Sequence, residues 1–120
     1  MSQVTKRILL VDDSRIARLT LQHLITSTDN SVEITQAANG DEALAAFQPG
    51  GFDLALLDFN MPGIDGLELA QLIREQDSKI HLVLVTANIQ DTIIDRAKSM
   101  GLDFLGKPVD SEQLASLLKR

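Results

Sequence analysis

The chain has no cysteine, no tryptophan and no tyrosine, and only three prolines. Without cysteine there are no disulfides, no thiolate chemistry and no cysteine-based zinc site, which fits a reducing compartment. The two histidines, His23 and His81, are far apart, which with no cysteine argues against a nitrogen- or sulfur-ligated transition-metal site. Positive charge is scarce: eleven Lys and Arg against seventeen Asp and Glu leave a net charge of −6. That balance argues against direct nucleic-acid binding, which depends on clustered cations against phosphates. No apolar run approaches the roughly 20 residues of a membrane span, and the Met1 segment lacks the basic-then-apolar pattern of a signal peptide. At 120 residues and 44% hydrophobic, the sequence reads as one domain over residues 1–120 with a full core. Its expected compartment is the cytoplasm, without membrane insertion, and its expected partner is another protein.

Against these absences stand four short apolar runs, each closed by polar residues. Ile8-Leu9-Leu10-Val11 ends in Asp12-Asp13, and Leu54-Ala55-Leu56-Leu57 ends in Asp58. Leu82-Val83-Leu84-Val85 ends in Thr86, and Phe104-Leu105-Gly106 ends in Lys107-Pro108. Apolar runs that alternate with helix-like segments read as strands of a parallel sheet buried on both faces. All strand ends then lie along one edge, where open α/β sheets bind ligands. Three carboxylates, a hydroxyl and an ammonium would meet there. An aspartyl-phosphate site needs that set.

The whole chain is a five-fold strand–helix alternation without linkers. Strands are expected at about Arg7–Val11, Val32–Gln36, Asp53–Leu57, Ile80–Val85 and Asp103–Gly106. Asp13-Ser14 can cap the first helix, whose Ile16, Leu19 and Leu24 are expected to face the sheet. The short, more polar second strand suits an edge, and a short helix follows Asn39-Gly40-Asp41, with Leu44 and Phe47 on one face. Asp65-x-x-Glu68 has capping-box spacing before Leu69, Leu72 and Ile73. Ile93, Ala97 and Met100 form the stripe of the fourth helix. Asp110-x-x-Gln113 is a second capping-box pattern, before Leu114, Leu117 and Leu118. Right-handed crossovers make this a three-layer α/β sandwich. His81 reads as a hydrogen-bonded structural residue and His23 as surface-facing. The last helix begins near Ser111, about 10 residues before Arg120, which is short for a closing helix, so a longer protein is held open.

Each polar mark alone has an ordinary reading, as a helix cap, a turn or a solvated loop. Together they demand a cation, because Asp12, Asp13 and Asp58 would crowd three negative charges into one crevice. An all-oxygen site of this kind suits Mg²⁺, which takes one or two carboxylates and keeps several waters.

In order and spacing, Asp12-Asp13, Leu57-Asp58-Phe59-Asn60-Met61-Pro62-Gly63, Val85-Thr86-Ala87 and Gly106-Lys107-Pro108 closely resemble the receiver domain of bacterial two-component response regulators, from about Lys6 onward. The resemblance implies a flavodoxin-like (βα)5 sandwich with strand order 2-1-3-4-5. It implies that Asp58 accepts a phosphoryl group from a histidine kinase or phosphotransfer protein, with Mg²⁺ (Mn²⁺ tolerated), and loses it slowly. Asp13 and Asp58 would hold the ion directly, Asp12 mostly through water, and Asn60 through its main-chain carbonyl. Lys107 would supply a positive charge to the phosphoryl oxygens and Thr86 a hydroxyl donor. Pro108 would help aim Lys107, and the family often has a cis bond there.

The family usually carries an aromatic, often Tyr, where Phe104 stands, and its ring moves inward as the position of Thr86 shifts. Phe104 has no hydroxyl to bond in that state. The rearrangement is expected to run from Asp58 through Ala87 and Asn88 to Phe104, remodelling the face of the fourth helix, fifth strand and fifth helix. That face would address an output partner protein or downstream domain. The resemblance thus implies a signalling domain whose only chemistry is its own phosphorylation and dephosphorylation. A receiver-like platform that has lost phosphorylation would lack one of these marks, and none is missing. A haloacid-dehalogenase-type phosphatase would read Asp-x-Asp, where this chain has Asn60.

Overall fold

Leucine- and valine-rich runs without polar interruption have no face to give to solvent, so they pair side by side between two layers of helix. The structure, a computed structural model, describes residues 6–87 and 90–119. Asn88 and the Met1 segment, both part of the expectations above, lie outside the described residues. The strands are β1 (Arg7–Val11), β2 (Glu33–Ala37), β3 (Leu54–Leu57), β4 (His81–Thr86) and β5 (Asp103–Gly106). They alternate with α1 (Arg15–Thr28), α2 (Gly40–Ala46), α3 (Gly66–Gln76), α4 (Asp91–Ser99) and α5 (Ser111–Leu118). All strand pairs are parallel and the order is β2-β1-β3-β4-β5, as expected. Boundaries for β2, β3 and β4 differ from the sequence reading by one residue.

Side-chain alternation along each strand divides the interior into two cores. Leu9, Val11, Leu57, Leu82 and Leu84 pack with Ala43 of α2, Leu69 and Ile73 of α3, and Ile93 and Ala97 of α4. On the other face Ile8, Leu10, Leu56, Val83 and Val85 pack with Leu21 and Ile25 of α1 and Leu114 and Leu117 of α5. Each such leucine or isoleucine contributes about 1.5–3 kcal/mol when fully buried. His81 is half-buried and bonded to Asp103, and His23 is exposed. Among the described residues no helix is long and apolar enough to cross a membrane.

Three sequence expectations need correction. Ile16 and Leu19 do not face the sheet: they are 77% and 49% exposed, and the buried stripe of α1 is Leu21 and Ile25, with Leu24 partly buried beside them. At about 100° per residue, Ile16 and Leu19 fall on the side opposite Leu21. α1 has apolar residues on both sides, and periodicity alone picked the wrong one. Leu72 is likewise exposed, while Leu67 and Ala70 join Leu69 and Ile73 in the core. Asp110 does cap α5, but its carboxylate accepts from the Glu112 N–H rather than forming a box with Gln113. The Asp65–Glu68 box is complete in both directions.

Candidate functional site

The parallel register brings the four polar marks to one edge. Val11 pairs with Ala37 on one side and Leu57 on the other, Leu57 pairs with Leu84, and Thr86 pairs with Gly106. The ladder runs one residue further at each end: Asp12 N–H donates to Ala37 O (3.1 Å), Asp58 N–H to Val11 O (2.9 Å) and Lys107 N–H to Thr86 O (3.0 Å). The backbone of each of these three residues is therefore held by the sheet, although each already belongs to a loop. The Lys107–Pro108 peptide bond is cis.

Asp12 is buried, Asp58 is buried and Asp13 is exposed, and carboxylate oxygens of all three lie within 4.8 Å of one another. Lys107 Nζ donates to Asp12 Oδ2 at 2.7 Å and to Asp58 Oδ1 at 3.4 Å. Asp12 also uses its Oδ1 to accept the Ser14 N–H at 2.9 Å, and its carbonyl accepts from Arg18. Ser14 in turn caps α1 through the Ala17 N–H. The β1–α1 turn is thus fixed by short-range bonds, with the Asp13 side chain exposed beside the cluster.

One ammonium does not balance three carboxylates. Burial first, and then the adjacent charge of Asp12, push the Asp58 carboxyl up to about 6; Lys107 pulls the other way without winning, and Asp13 adds a smaller push. For Lys107 burial favours the neutral amine, but the hydrogen bond to Asp12 and the charges of Asp58 and Asp12 outweigh it and hold the ammonium above its ordinary value. An excess of hard oxygen donors, carrying unneutralised charge in a partly buried pocket, fits a divalent cation.

Thr86 is buried at the end of β4. Leu84 pairs with Phe104, so Thr86, two residues on, shares a face of the sheet with Phe104, which is half-buried against the α2–α3–α4 core. Asn60 is exposed in the β3–α3 loop, two residues past Asp58. Asp12, Asp13, Asp58 and Lys107 therefore meet on one edge, Thr86 ends the adjoining strand there, and Phe104 shares a face of the sheet with Thr86.

Sequence reasoning missed Gly66. A Cβ there would overlap the carbonyl oxygen of Asp58, and the Gly66 N–H donates to Phe59 O at 3.0 Å. Only glycine permits this approach of α3 to the backbone of Asp58. The signal was present: a glycine opening a helix directly after its Asp65 cap has no propensity reason to be there.

The family model for the response regulator receiver domain matches residues 8–119. Sporulation initiation phosphotransferase F of Bacillus subtilis is 30% identical over 98% of this chain and 94% of its own length. The positive alginate biosynthesis regulatory protein of Pseudomonas aeruginosa is 35% identical over 94% of this chain and 46% of its own. This chain spans about half or less of the length of several curated relatives it matches. Among solved structures, the chemotaxis protein CheY4 of Vibrio cholerae superposes with a TM-score of 0.85 at 30% identity, covering 98% of both chains.

Proposed function

The chain belongs to the response regulator receiver family, the aspartate-phosphorylated domains of two-component signalling, and from that premise we propose that Asp58 is its phosphoacceptor. The single observation that carries this is Asp58 itself: buried at the end of a central strand, flanked by Asp12 and Asp13, and within 3.4 Å of Lys107 Nζ.

In this reading a carboxylate oxygen of Asp58 attacks phosphorus as the P–N bond to the donor's imidazole breaks. Mg²⁺, when bound, would be held by Asp13 and Asp58, by Asp12 mostly through water and by the main-chain oxygen of Asn60, and would supply the positive charge that lets two electron-rich groups approach. Lys107, now shared between Asp12 and Asp58, turns one N–H toward a phosphoryl oxygen. The Thr86 hydroxyl donates to another. Hydrolysis reverses the attachment slowly with water, and no other catalysis is assigned to this domain.

The donor is a sensor histidine kinase or a phosphotransfer protein. Ile16 and Leu19, solvent-exposed on α1, stand close in sequence to a groove lined by Ala17, Thr20, Leu24, Pro108 and Val109 that reaches Asp12 and Lys107. An apolar ridge beside a reactive crevice suits the helical surface that must bring a phosphohistidine to Asp58. In this reading the domain works in the cytoplasm, in contact with a kinase and with an output protein or domain that reads the α4–β5–α5 face.

Acetyl phosphate with Mg²⁺ should add one acid-stable, hydroxylamine-labile phosphate to the wild-type chain and none to Asp58→Asn. Labelling of that variant at the wild-type rate would remove the assignment. For the switch, beryllofluoride with Mg²⁺ should move NMR signals from Asp58 through Ala87 to the Phe104 ring. Lacking a hydroxyl, Phe104 forgoes a hydrogen bond of about 0.5–1.5 kcal/mol in the inward state, so the two states are separated less than with Tyr. Shifts confined to residues touching the ligand would end the Thr86–Phe104 route.

A further inference from the structure

Gly40 opens α2, and Ile64 lies in the loop between β3 and α3. A Cβ on Gly40 would overlap both Cγ1 and Cδ1 of Ile64, so the isoleucine occupies the space that any other residue at position 40 would fill. Gly40 is buried and Ile64 half-buried, in a groove completed by Asn39, Asp41, Pro62 and Gly63. Knob and slot belong to different segments: the loop carries Asp58 at its base, and the turn adjoins the strand that ends in Asp12.

On the slot side, the β2–α2 turn hangs from the same strand end as Asp12, whose N–H donates to Ala37 O at 3.1 Å. That turn is stiffened by Asn39, which accepts the Glu42 N–H at 2.8 Å, and by Glu42, which accepts the Ala38 N–H at 2.8 Å. On the knob side, the loop leaves the sheet at Asp58, carries Asn60, and returns at Asp65 and Gly66. Its base is pinned by the Gly66-to-Phe59 hydrogen bond and by Gly66 against the Asp58 carbonyl. At its tip Asn60, Pro62 and Gly63 are exposed, while Met61 between them packs partly against the core. Ile64 joins this loop to the turn beside the acidic pair.

We propose that Gly40 and Ile64 form a positioning pair, whose fit sets the β3–α3 loop against Asp12 and Asp13 and thereby governs divalent-cation affinity at the site. The proposal rests on reading the Asp12–Asp13–Asp58 cluster as the cation site. Neither residue touches the ion or the reacting atoms. Their effect is on binding, not on the chemistry once the ion is saturating.

The test is a double-mutant cycle of Gly40→Ala, Ile64→Ala and the pair, read by metal-free amide shifts of residues 59–66, by Mg²⁺ titration, and by acetyl phosphate labelling at saturating Mg²⁺. Gly40→Ala should displace the loop amides and weaken Mg²⁺ about tenfold, with saturated labelling within about twofold of wild type. Ile64→Ala should weaken Mg²⁺ about two- to threefold, and the double variant should be no worse than Ile64→Ala alone, because the overlap is gone. Additive losses, or wild-type Mg²⁺ affinity in Gly40→Ala, would overturn the pair. If Gly40→Ala fails to fold, Ile64→Val and Ile64→Ala should lower Mg²⁺ affinity in that order, and unchanged affinity in both refutes the proposal. A wild-type chain that neither binds Mg²⁺ nor takes label defeats the cation-site reading instead. The loop amides then decide the positioning role alone: displaced by Gly40→Ala and restored by Ile64→Ala, or the pair is wrong.

Discussion

The two ends of the same parallel sheet treat charge in opposite ways. At the end where the strands begin, opposite partners meet locally. Asp53 accepts the Arg7 N–H at 2.8 Å and lies 3.5 Å from the Arg7 guanidinium; His81 meets Asp103. Asp77 accepts N–H groups of Gly50 and Lys79 at 3.0 Å each, and these bonds hold its carboxyl below the ordinary range. At the end where the strands stop, Asp12, Asp13 and Asp58 gather around the Lys107 ammonium, and Asp58 is pushed upward. One edge is matched for a resting state. The other is left unmatched, and in the proposed function a cation and a phosphoryl group complete it.

The sharpest way to break this contrast is to change the charge count at each end in turn. Asp13→Asn removes one of three carboxylates at the cation cluster and should lower Mg²⁺ affinity by roughly 100-fold, or about 2.7 kcal/mol. Excess EDTA should abolish phosphoryl labelling of the wild-type chain. Asp53→Asn, with the same chemical change at the opposite edge, should leave both the Mg²⁺ titration and labelling as they were. Equal labelling in EDTA would show that the acidic cluster does not work through a metal.

A smaller effect concerns the standing cost of the unbalanced edge. A carboxyl raised to about 6 keeps its proton in the folded chain at pH values where the unfolded chain has already lost it. Below the ordinary aspartate range both states are protonated and nothing is lost. As pH rises from there through about 6, folding must take up a proton that becomes ever scarcer, until above that value the charge itself is buried, and stability falls. The full penalty is at most roughly 3 kcal/mol, and about 1–2 kcal/mol is expected after local relaxation. Asp58→Asn should therefore be more stable than wild type at pH 7 without divalent cation, and equal to it near pH 3. Urea unfolding at a series of pH values reads this directly. Saturating Mg²⁺ should shrink or reverse the difference, since only the carboxylate gains from the ion.

How much of this was legible in sequence follows from the physics of each part. The strands were readable because apolar runs buried on both faces have no polar interruption, and β1 and β5 fell where expected. That Asp12, Asp13, Asp58, Thr86 and Lys107 gather at one edge was readable because polar residues that end such runs must share it. Ile16, Leu19 and Leu72 were misread because a helix with apolar residues on two sides gives periodicity a choice that only packing makes. Gly40 and Gly66 escaped for a different reason. Their function is the absence of a side chain, and what fills that space, Ile64 in one case and the Asp58 carbonyl in the other, is named only by the fold. The upward push on Asp58 depends on distances and burial across β1, β3 and β5, which no local pattern encodes.

The smallest expected effect sits at the matched edge, and it tests whether the two ends are independent. Arg7 and Asp53 have side chains 43% and 36% exposed, so their ion pair is screened and should couple by only about 0.5 kcal/mol in a double-mutant cycle. The two single substitutions should nevertheless differ. Arg7→Met loses only that coupling and a bond from the guanidinium to Gly50 O at 3.0 Å, in solvent. Asp53→Ala also strips the acceptor from the Arg7 N–H at the start of β1, and should cost about 1 kcal/mol. Both losses should appear in urea unfolding and neither in the Mg²⁺ titration. A change in Mg²⁺ affinity from either variant would mean that strain at the start of β1 reaches Asp12 through the five residues of the strand, and that the matched edge tunes the unmatched one.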